Sequence, residues 1–512
     1  MRLVVIGAGM ASGRMLEHLF EAGFSGQVTL FNGEPRGNYN RLMLSPVLSG
    51  EKTYEQIVTH DDAWYAAHGV DCRFGEQVTK IDRERKVVVS KGGETPYDAL
   101  VIATGSAPFI IPVAGKELQG VCTYRDLEDT NAMIAASKPG AKAVVIGGGL
   151  LGLEAAAGMA ARGAEVTVIH LMGHLMERQL DPSAGYLLQK DLERRGIRIH
   201  CKGATKAILG TDRVEAVLLE DGTVYDADLV CMAVGIRPET RIATDAHLEI
   251  GRGVVVNDQM QTSDPAIYAL GECVEHQKQL FGLVAPLYDQ AKVLAATLMG
   301  AEAAFKPVQT ATKLKVTGVD LFSAGDFADA PGREDIVFRD PGRGVYKRLV
   351  LEGERLIGAV MYGDTADGAW FFDKIKSGED VTAIRDVLIF GPAFAAGGTS
   401  ADPLAAVAAL PPEAEICGCN GVCKSKITAA VQGGAVTLDA VRGQTKASAS
   451  CGTCTGLVEK VMALTLGDSF QANANPPMCK CTDHTHEDVR RIIKAQELKS
   501  IPAVMQELGW KT

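Results

Sequence analysis

Two glycine-rich turns, each preceded by a short apolar, β-branched stretch, constrain this chain more than any other feature. In the first, "RLVVIGAGMASG", Arg2–Ile6 predicts a strand. Gly7 and Gly9 then permit a tight turn and close approach of backbone to a pyrophosphate. Ser12 occupies the third fingerprint position and Gly13 follows it. The second, "KAVVIGGGLLGLEAA", places Gly147, Gly149 and Gly152 at the three positions, after a strand over 143–146 and before an alanine-rich helix. In each case the pyrophosphate would rest on the N–H groups that open the helix. One such turn also fits a glycine turn without a ligand. Two of them, about 140 residues apart, predict one flavin and one nicotinamide site.

The strand after each turn should end in an acid for the ribose hydroxyls. After "QVTLFNGEP" that acid is Glu34, about 25 residues past the first turn. After "AEVTVIH" the strand ends at His170. An acid there would favour NADH and a nearby arginine NADPH. His170 decides neither, and a strand-end histidine without ligand role stays open. Three further segments read as a strand followed by a small-residue turn. They are "DALVIATGSAP" with Ala103, Thr104 and Gly105, "ADLVCMAVGIRPET" with Gly235, and "AIYALGECVEH" with Gly271 and Glu272.

These motifs, in this order over roughly residues 1–300, resemble the two-dinucleotide-domain flavoprotein reductases. The resemblance implies FAD on the first fingerprint, NAD(P)H on the second, and the Ala103-Thr104-Gly105 turn closing the FAD domain. It also implies that Gly271-Glu272 meets the flavin ribityl and phosphate region, where the family has Gly-Asp. Many relatives carry a redox Cys-x4-Cys after the second FAD strand. The corresponding "GNYNRLMLSPVLSGEK" has no cysteine, which removes the disulfide-reductase subclass. "GEPRGNYNRLMLS" is similar instead to the ferredoxin- and rubredoxin-reductase branch. Some relatives there place a lysine just after the Leu-Ser pair; Pro46 stands here. By the same resemblance Arg41 is a candidate beside the isoalloxazine and Glu154 beside the nicotinamide, each with a surface side chain as the alternative.

A hydride delivers two electrons, and the expected acceptor lies in the same chain. Of twelve cysteines, seven fall in the last hundred residues, which in a cytosolic chain points to metal rather than disulfides. Cys417 and Cys419 form Cys-x-Cys, and Cys451 and Cys454 form Cys-x2-Cys. Four thiolates in two close pairs can enclose a 2Fe–2S cluster, and they also suit zinc. The spacing resembles the bacterioferritin-associated-ferredoxin-like module, which implies the cluster; Cys423 is a helix cysteine beside it or an alternate ligand. Shifted by 62 positions, "CGCNGVCKSKI" overlies "CKCTDHTHEDV", Cys417 falling on Cys479 and Cys419 on Cys481. The tail therefore reads as the first part of a second such module, cut before its closing cysteine pair.

The expected fold class is α/β: two Rossmann-like dinucleotide-binding domains of the glutathione-reductase kind, an α+β C-terminal reductase domain, and a small helical 2Fe–2S module. The expected boundaries are 1–112 with 246–300 for FAD, 113–245 for NAD(P)H, and 308–392 for the α+β domain. An Ala-, Gly- and Pro-rich linker follows over 393–413, then the cluster module over 414–466 and the partial module over 477–512. A net charge of −11 gives no broad basic surface for nucleic acid or anionic membrane. No apolar run reaches the roughly 18 residues of a membrane span. The amino terminus runs straight into a strand, so the expected location is the cytoplasm.

The whole motif order, through "TKLKVTGVDLFSAGDF", "KASASCGTCTGLVE" and "PAVMQELGWKT", is similar to the N-terminal part of assimilatory NAD(P)H-dependent nitrite reductase large subunits. That resemblance implies an oxidoreductase front end with FAD, NAD(P)H and a 2Fe–2S cluster, showing diaphorase activity and feeding a nitrite-reducing domain. The sirohaem and 4Fe–4S cluster of that domain would lie outside this chain. A free-standing electron-transfer subunit for assimilatory nitrate reductase, and a non-enzymatic redox or iron-sensing scaffold, are the alternatives. A homodimer is compatible with each.

Overall fold

The computed structural model describes residues 1–307, 311–316, 318–395, 403–408, 410–450, 452, 454–467 and, beyond these, 489, 492, 493, 504, 507 and 508. It divides into two compact units, one holding 1–396 with 418–420, the other 397–417 with 421–512.

The first unit opens with β1 (Arg2–Ile6), α1 (Met10–Glu21) and β2 (Gln27–Asn32), followed by the short helix α2 (Leu44–Ser49), β3 (Val70–Phe74) and β4 (Ala99–Ile102). Leu3, Val4 and Val5 are all buried, because helices and loops cover both faces of a parallel sheet and its strands read as continuous apolar runs. The chain then leaves this sheet and builds another from β5 (Val121–Thr123), β6 (Lys142–Ile146), α3 (Leu150–Ala161), β7 (Glu165–His170), β8 (Arg198–Cys201) and β9 (Leu229–Met232). It returns with β10 (Ile267–Ala269) and α4 (Val284–Leu298). The strand orders are β10–β4–β1–β2–β3 and β8–β7–β6–β9–β5. The strand pairings within these two sheets are parallel, with Val5 beside Leu30 in one and Val145 beside Val168 in the other. Each glycine turn thus sits at the carboxyl end of its first strand, where doubly wound sheets bind ligands.

A five-stranded antiparallel sheet follows: β11 (Thr312–Val316), β12 (Val319–Gly325), β13 (Arg333–Asp340), β14 (Val345–Glu352) and β15 (Arg355–Tyr362), in the order β11–β12–β15–β14–β13. The helix α5 (Gly368–Ser377) covers one face with Phe371 and Phe372. Lys347 and Arg348 are buried on β14, but neither charge is left alone. Lys347 meets Asp364 and Asp367 at 2.8 and 3.1 Å, and Arg348 meets Asp329 and Asp335 at 2.5 and 2.9 Å, as buried charge requires.

In the second unit the stretch expected as a linker contains a helix, α6 (Pro403–Ala408), with Val407 buried. Alanine is the strongest helix former and proline is preorganised for a first turn, so composition that suggests a linker also suits a short helix. After it come β16 (Glu415–Cys417), α7 (Lys424–Gln432), α8 (Leu438–Thr445) and α9 (Thr455–Leu466). Ile427, Val431, Val441, Val458 and Val461 make the small core. Val489, Val504 and Leu508 are buried together.

Candidate functional site

The first glycine turn needs glycine at Gly7. Its φ is +109°, and a Cβ there would lie 2.2 Å from the carbonyl oxygen of Ala103. The Ala103-Thr104-Gly105 turn on β4 is thereby packed directly against the fingerprint. Gly9 precedes the first residue of α1 with nothing within 4 Å of a notional Cβ. Its N-terminal N–H groups therefore open onto space that a pyrophosphate can fill. Ser12 is buried and faces the turn: its hydroxyl lies 2.7 Å from the Gly7 carbonyl and 3.1 Å from that of Gly9. Gly13 leaves room for Asn38, whose amide donates to the Gly9 carbonyl at 2.5 Å.

A cleft of about 180 Å³ runs from this turn along the ends of β1 and β2, lined among others by Gly7, Gly33, Glu76, Thr104 and Glu239. Glu34 stands beside β2 as expected, but its carboxylate accepts from the Tyr39 hydroxyl at 2.9 Å and pairs with Arg41. Arg41 also donates to the carbonyl of Arg125 at 2.9 Å. The cleft is lined by the carboxylates of Glu76 and Glu239; Glu76 accepts from the Ser90 hydroxyl at 2.5 Å, and that bond holds its pKa below the ordinary range. Gly271 has φ +93° and donates its N–H to the buried Gln290 at 2.8 Å. The Gln290 amide nitrogen is left without a protein partner, a donor available to a ligand. Glu272 accepts from Ser106 and from Arg125, both at 2.6 Å. The open helix terminus, the cleft and the spare donor fit FAD.

The second turn repeats the scheme more tightly. Gly147 has φ +123° and its Cβ would lie 2.2 Å from the Ala233 carbonyl; a Cβ on Gly152 would lie 2.0 Å from the Gly147 carbonyl. Gly149 again opens onto empty space before a helix, here α3. Gly235 (φ +117°) turns the chain after β9. His170 ends β7 and is buried; its Nδ1 accepts from the Gly148 N–H at 3.0 Å, and its Nε2 lies 3.0 Å from Glu177. Glu154, on α3, accepts from the Ser45 hydroxyl at 2.6 Å, and that hydroxyl lies 3.0 Å from Tyr124. Burial pushes the Glu154 carboxyl up to about 7, because no cation compensates the desolvation. Pro46, in the position where a lysine is found in some relatives, lies next to Ser45 in α2. This surface fits a nicotinamide dinucleotide.

In the cluster module Cys417 is buried at the end of β16 and accepts the Ser448 N–H at 3.4 Å. The Ser448 hydroxyl meets that of Thr455 at 2.5 Å, one residue past the buried Cys454 that caps α9. Ser448 thus contacts Cys417 by its N–H and, by its hydroxyl, the residue that follows Cys454. The side chain of Cys419 and all of Cys451, Cys479 and Cys481 lie outside the described residues. Cys423 precedes α7, and the Ser425 hydroxyl and nearby N–H groups hold its thiol below the usual value.

Glu76, Arg125, Ser45, Tyr124, Glu177 and Gln290 escape a motif search. Each reaches its site across tens of residues or from a loop without period, and only a strand-end carboxylate missing at His170 hinted at a substitute.

In comparison with known proteins, three family models match the chain. The pyridine nucleotide-disulphide oxidoreductase model matches residues 1–303. The rubredoxin NAD+ reductase C-terminal domain matches 311–379, and the BFD-like [2Fe-2S] binding domain matches 415–463 and 477–512. A nitrite reductase [NAD(P)H] of Bacillus subtilis is 44% identical across 100% of this chain and 64% of its own length. An assimilatory nitrate reductase electron transfer subunit of the same organism is 36% identical across 100% of this chain and 66% of its own. The chain thus spans less than two thirds of either relative. Among solved structures, the covalent putidaredoxin reductase–putidaredoxin complex aligns with TM-score 0.66 and 26% identity, over 76% of this chain and 98% of that one. Among the described residues no helix is long and apolar enough to cross a membrane.

Proposed function

The chain belongs to the pyridine nucleotide-disulphide oxidoreductase family, and from that premise we propose that it is the electron-delivering front end of an assimilatory nitrite reductase, working in the cytoplasm. It is an FAD-dependent NAD(P)H oxidoreductase with a BFD-like 2Fe–2S domain. The observation that carries the proposal is the 44% identity to a nitrite reductase across the whole chain, cluster module included. FAD supplies the exchange between two-electron and one-electron chemistry, and a 2Fe–2S cluster supplies a one-electron acceptor.

The chain's own residues bind, orient and shield. Gly7, Gly9 and Asn38 shape the FAD pyrophosphate turn. Thr104, Gly105, Gly271 and Glu272, with Arg125 between Glu34–Arg41 and Glu272, hold the far side of that cofactor. Gly147, Gly149 and Gly152 seat the nicotinamide dinucleotide, and Glu154 with Ser45 orients its reactive end. Cys417, Cys419, Cys451 and Cys454 ligate the cluster, and the segment 477–512 matches the same BFD-like family. No acid–base residue is required for hydride transfer itself; orientation and exclusion of water suffice.

The test is spectroscopic. The purified chain shows flavin and iron–sulfur bands, and both lose intensity when NADH or NADPH is added without nitrite. Cys451→Ser removes the iron–sulfur bands and leaves flavin reduction intact. A preparation containing zinc and no flavin overturns the proposal. A second reading, the electron-transfer subunit of an assimilatory nitrate reductase, is favoured by the 36% identity across the full chain. Reconstitution with each terminal reductase separates the two.

A further inference from the structure

The strand end that should carry the ribose-reading acid carries His170, and the structure puts a carboxylate there by another route. The imidazole Nδ1 accepts the Gly148 N–H at 3.0 Å. The ring proton therefore sits on Nε2, directed at Glu177 Oε2 3.0 Å away. The histidine side chain is 8% exposed and the glutamate 27%, so the ring is fixed inside while the carboxylate reaches the surface. Gly148 makes this possible: a Cβ there would lie 2.7 Å from both His170 Cγ and Leu175 Cδ2.

The loop carrying Glu177 is anchored to the same turn. Met176 donates its N–H to the Gly148 carbonyl at 3.0 Å, adopts φ +52°, and is buried with Leu175. Both the N–H and the C=O of Gly148 are thus used to bring residues 170 and 177 together at the mouth of the nucleotide turn. Such an arrangement holds a carboxylate where a strand-end acid ordinarily hydrogen-bonds the ribose 2′-OH.

We propose that Glu177, oriented by His170, is the coenzyme-selecting acid: it accepts from the adenosine ribose hydroxyls of NADH and rejects the 2′-phosphate of NADPH. This rests on the second fingerprint being the nicotinamide dinucleotide site. Arg178, the next residue, is exposed.

The holoprotein is assayed with NADH and NADPH against ferricyanide, and the binding of 5′-AMP and adenosine 2′,5′-bisphosphate is measured by calorimetry. The wild type prefers NADH and 5′-AMP. Glu177→Gln lowers the NADH/NADPH ratio of kcat/KM about tenfold, the effect expected for removing one close like charge, and tightens the bisphosphate. Glu177→Asp keeps the wild-type preference. An unchanged melting temperature and FAD content show that the variant is still folded. A Glu177→Gln variant with both the ratio and the bisphosphate affinity unchanged overturns the proposal, as does a wild type that prefers NADPH. If neither coenzyme bleaches the wild-type flavin and neither nucleotide binds, the reading of the second fingerprint has failed, and this inference with it.

Discussion

The two dinucleotide turns share one backbone and differ in what they pack against it. At the second position the first turn has Ala8 and the second Gly148; at the last fingerprint position they have Ser12 and Gly152. The first turn is braced by side-chain hydroxyl and amide groups, Ser12 and Asn38, on the Gly7 and Gly9 carbonyls. The second is braced by close contact: Gly152 against the Gly147 carbonyl, and an imidazole and a leucine against Gly148. The carboxylates near the two turns are held differently. In the first, Glu34 is occupied by Tyr39 and Arg41 while Glu76 lines the cleft; in the second, His170 carries Glu177. The glycine turn is therefore the shared part of the design, and the carboxylates near it come from different places in the chain.

The sharpest way to break this comparison is to damage each turn at its first glycine. Gly7→Ala and Gly147→Ala each force a Cβ to 2.2 Å from a carbonyl oxygen at a positive φ. Strain of about 3 kcal/mol corresponds to roughly a hundredfold in binding. Gly7→Ala yields protein depleted of FAD. Gly147→Ala yields yellow protein that NADH bleaches about a hundredfold less efficiently. Flavin content and stopped-flow bleaching measure both, and two variants with the same defect would mean that the sites are not divided in this way.

A smaller effect tests the imidazole seat. Gly148→Ala overpacks His170 and Leu175 at a cost of about 1–3 kcal/mol, so NADH binding weakens about tenfold while FAD content stays at the wild-type level. The reciprocal Ala8→Gly leaves NADH binding unaltered and lowers the melting temperature by a few degrees at most. Equal effects of the two changes on NADH binding would erase the distinction between the turns.

Glu154 separates the sites by pH. Its pKa is raised from 4.5 to about 7 by burial, so the carboxyl is neutral below pH 7 and ionises above it. A raised acid contributes stability that falls as pH rises from the unfolded value toward the folded one. Ionisation also places a charge on α3 where the nicotinamide end would lie. KM for NADH accordingly rises several-fold across pH 6–8 in the wild type, and Glu154→Gln flattens the profile. FAD retention shows no such step in either protein. A wild-type profile flat across neutrality would remove Glu154 from the nicotinamide end.

Much of the architecture was legible because its signals are local. A β-branched run, a glycine turn and a small-residue helix lie within about fifteen residues of one another, twice. The expected α+β domain over 308–392 likewise holds an antiparallel sheet and a helix. The side chains that tune the sites were not legible, because they meet through tertiary contact: Ser45 with Glu154 on α3, Arg125 with Glu272, and Glu76 beside Gly7. Composition misdirected at 403–408, where alanines that suit a linker instead form a helix. For Glu177 the sequence held only half of the signal, a histidine where an acid belongs. The other half is the backbone of Gly148, which turns one residue toward another seven positions on.

The mildest test concerns Ser12 and Gly152. A Cβ on Gly152 would fall 2.0 Å from the Gly147 carbonyl, whereas Ser12 carries a Cβ and sets its hydroxyl 2.7 Å from the Gly7 carbonyl. The first helix therefore stands far enough from its turn to admit a side chain, and the hydroxyl spans the gap. Ser12→Ala removes a hydrogen bond worth about 1 kcal/mol, lowering the melting temperature of the FAD domain by about 2–4 °C with FAD still bound. Gly152→Ser has no such gap to fill and must push α3 away from Gly147, at a cost of several times that amount by the same overpacking argument. Melting curves of the two variants, followed by flavin fluorescence, distinguish hydroxyl bracing from close contact. If Ser12→Ala melts with the wild type, the hydroxyl contributes nothing and the two turns are held by the same backbone packing after all.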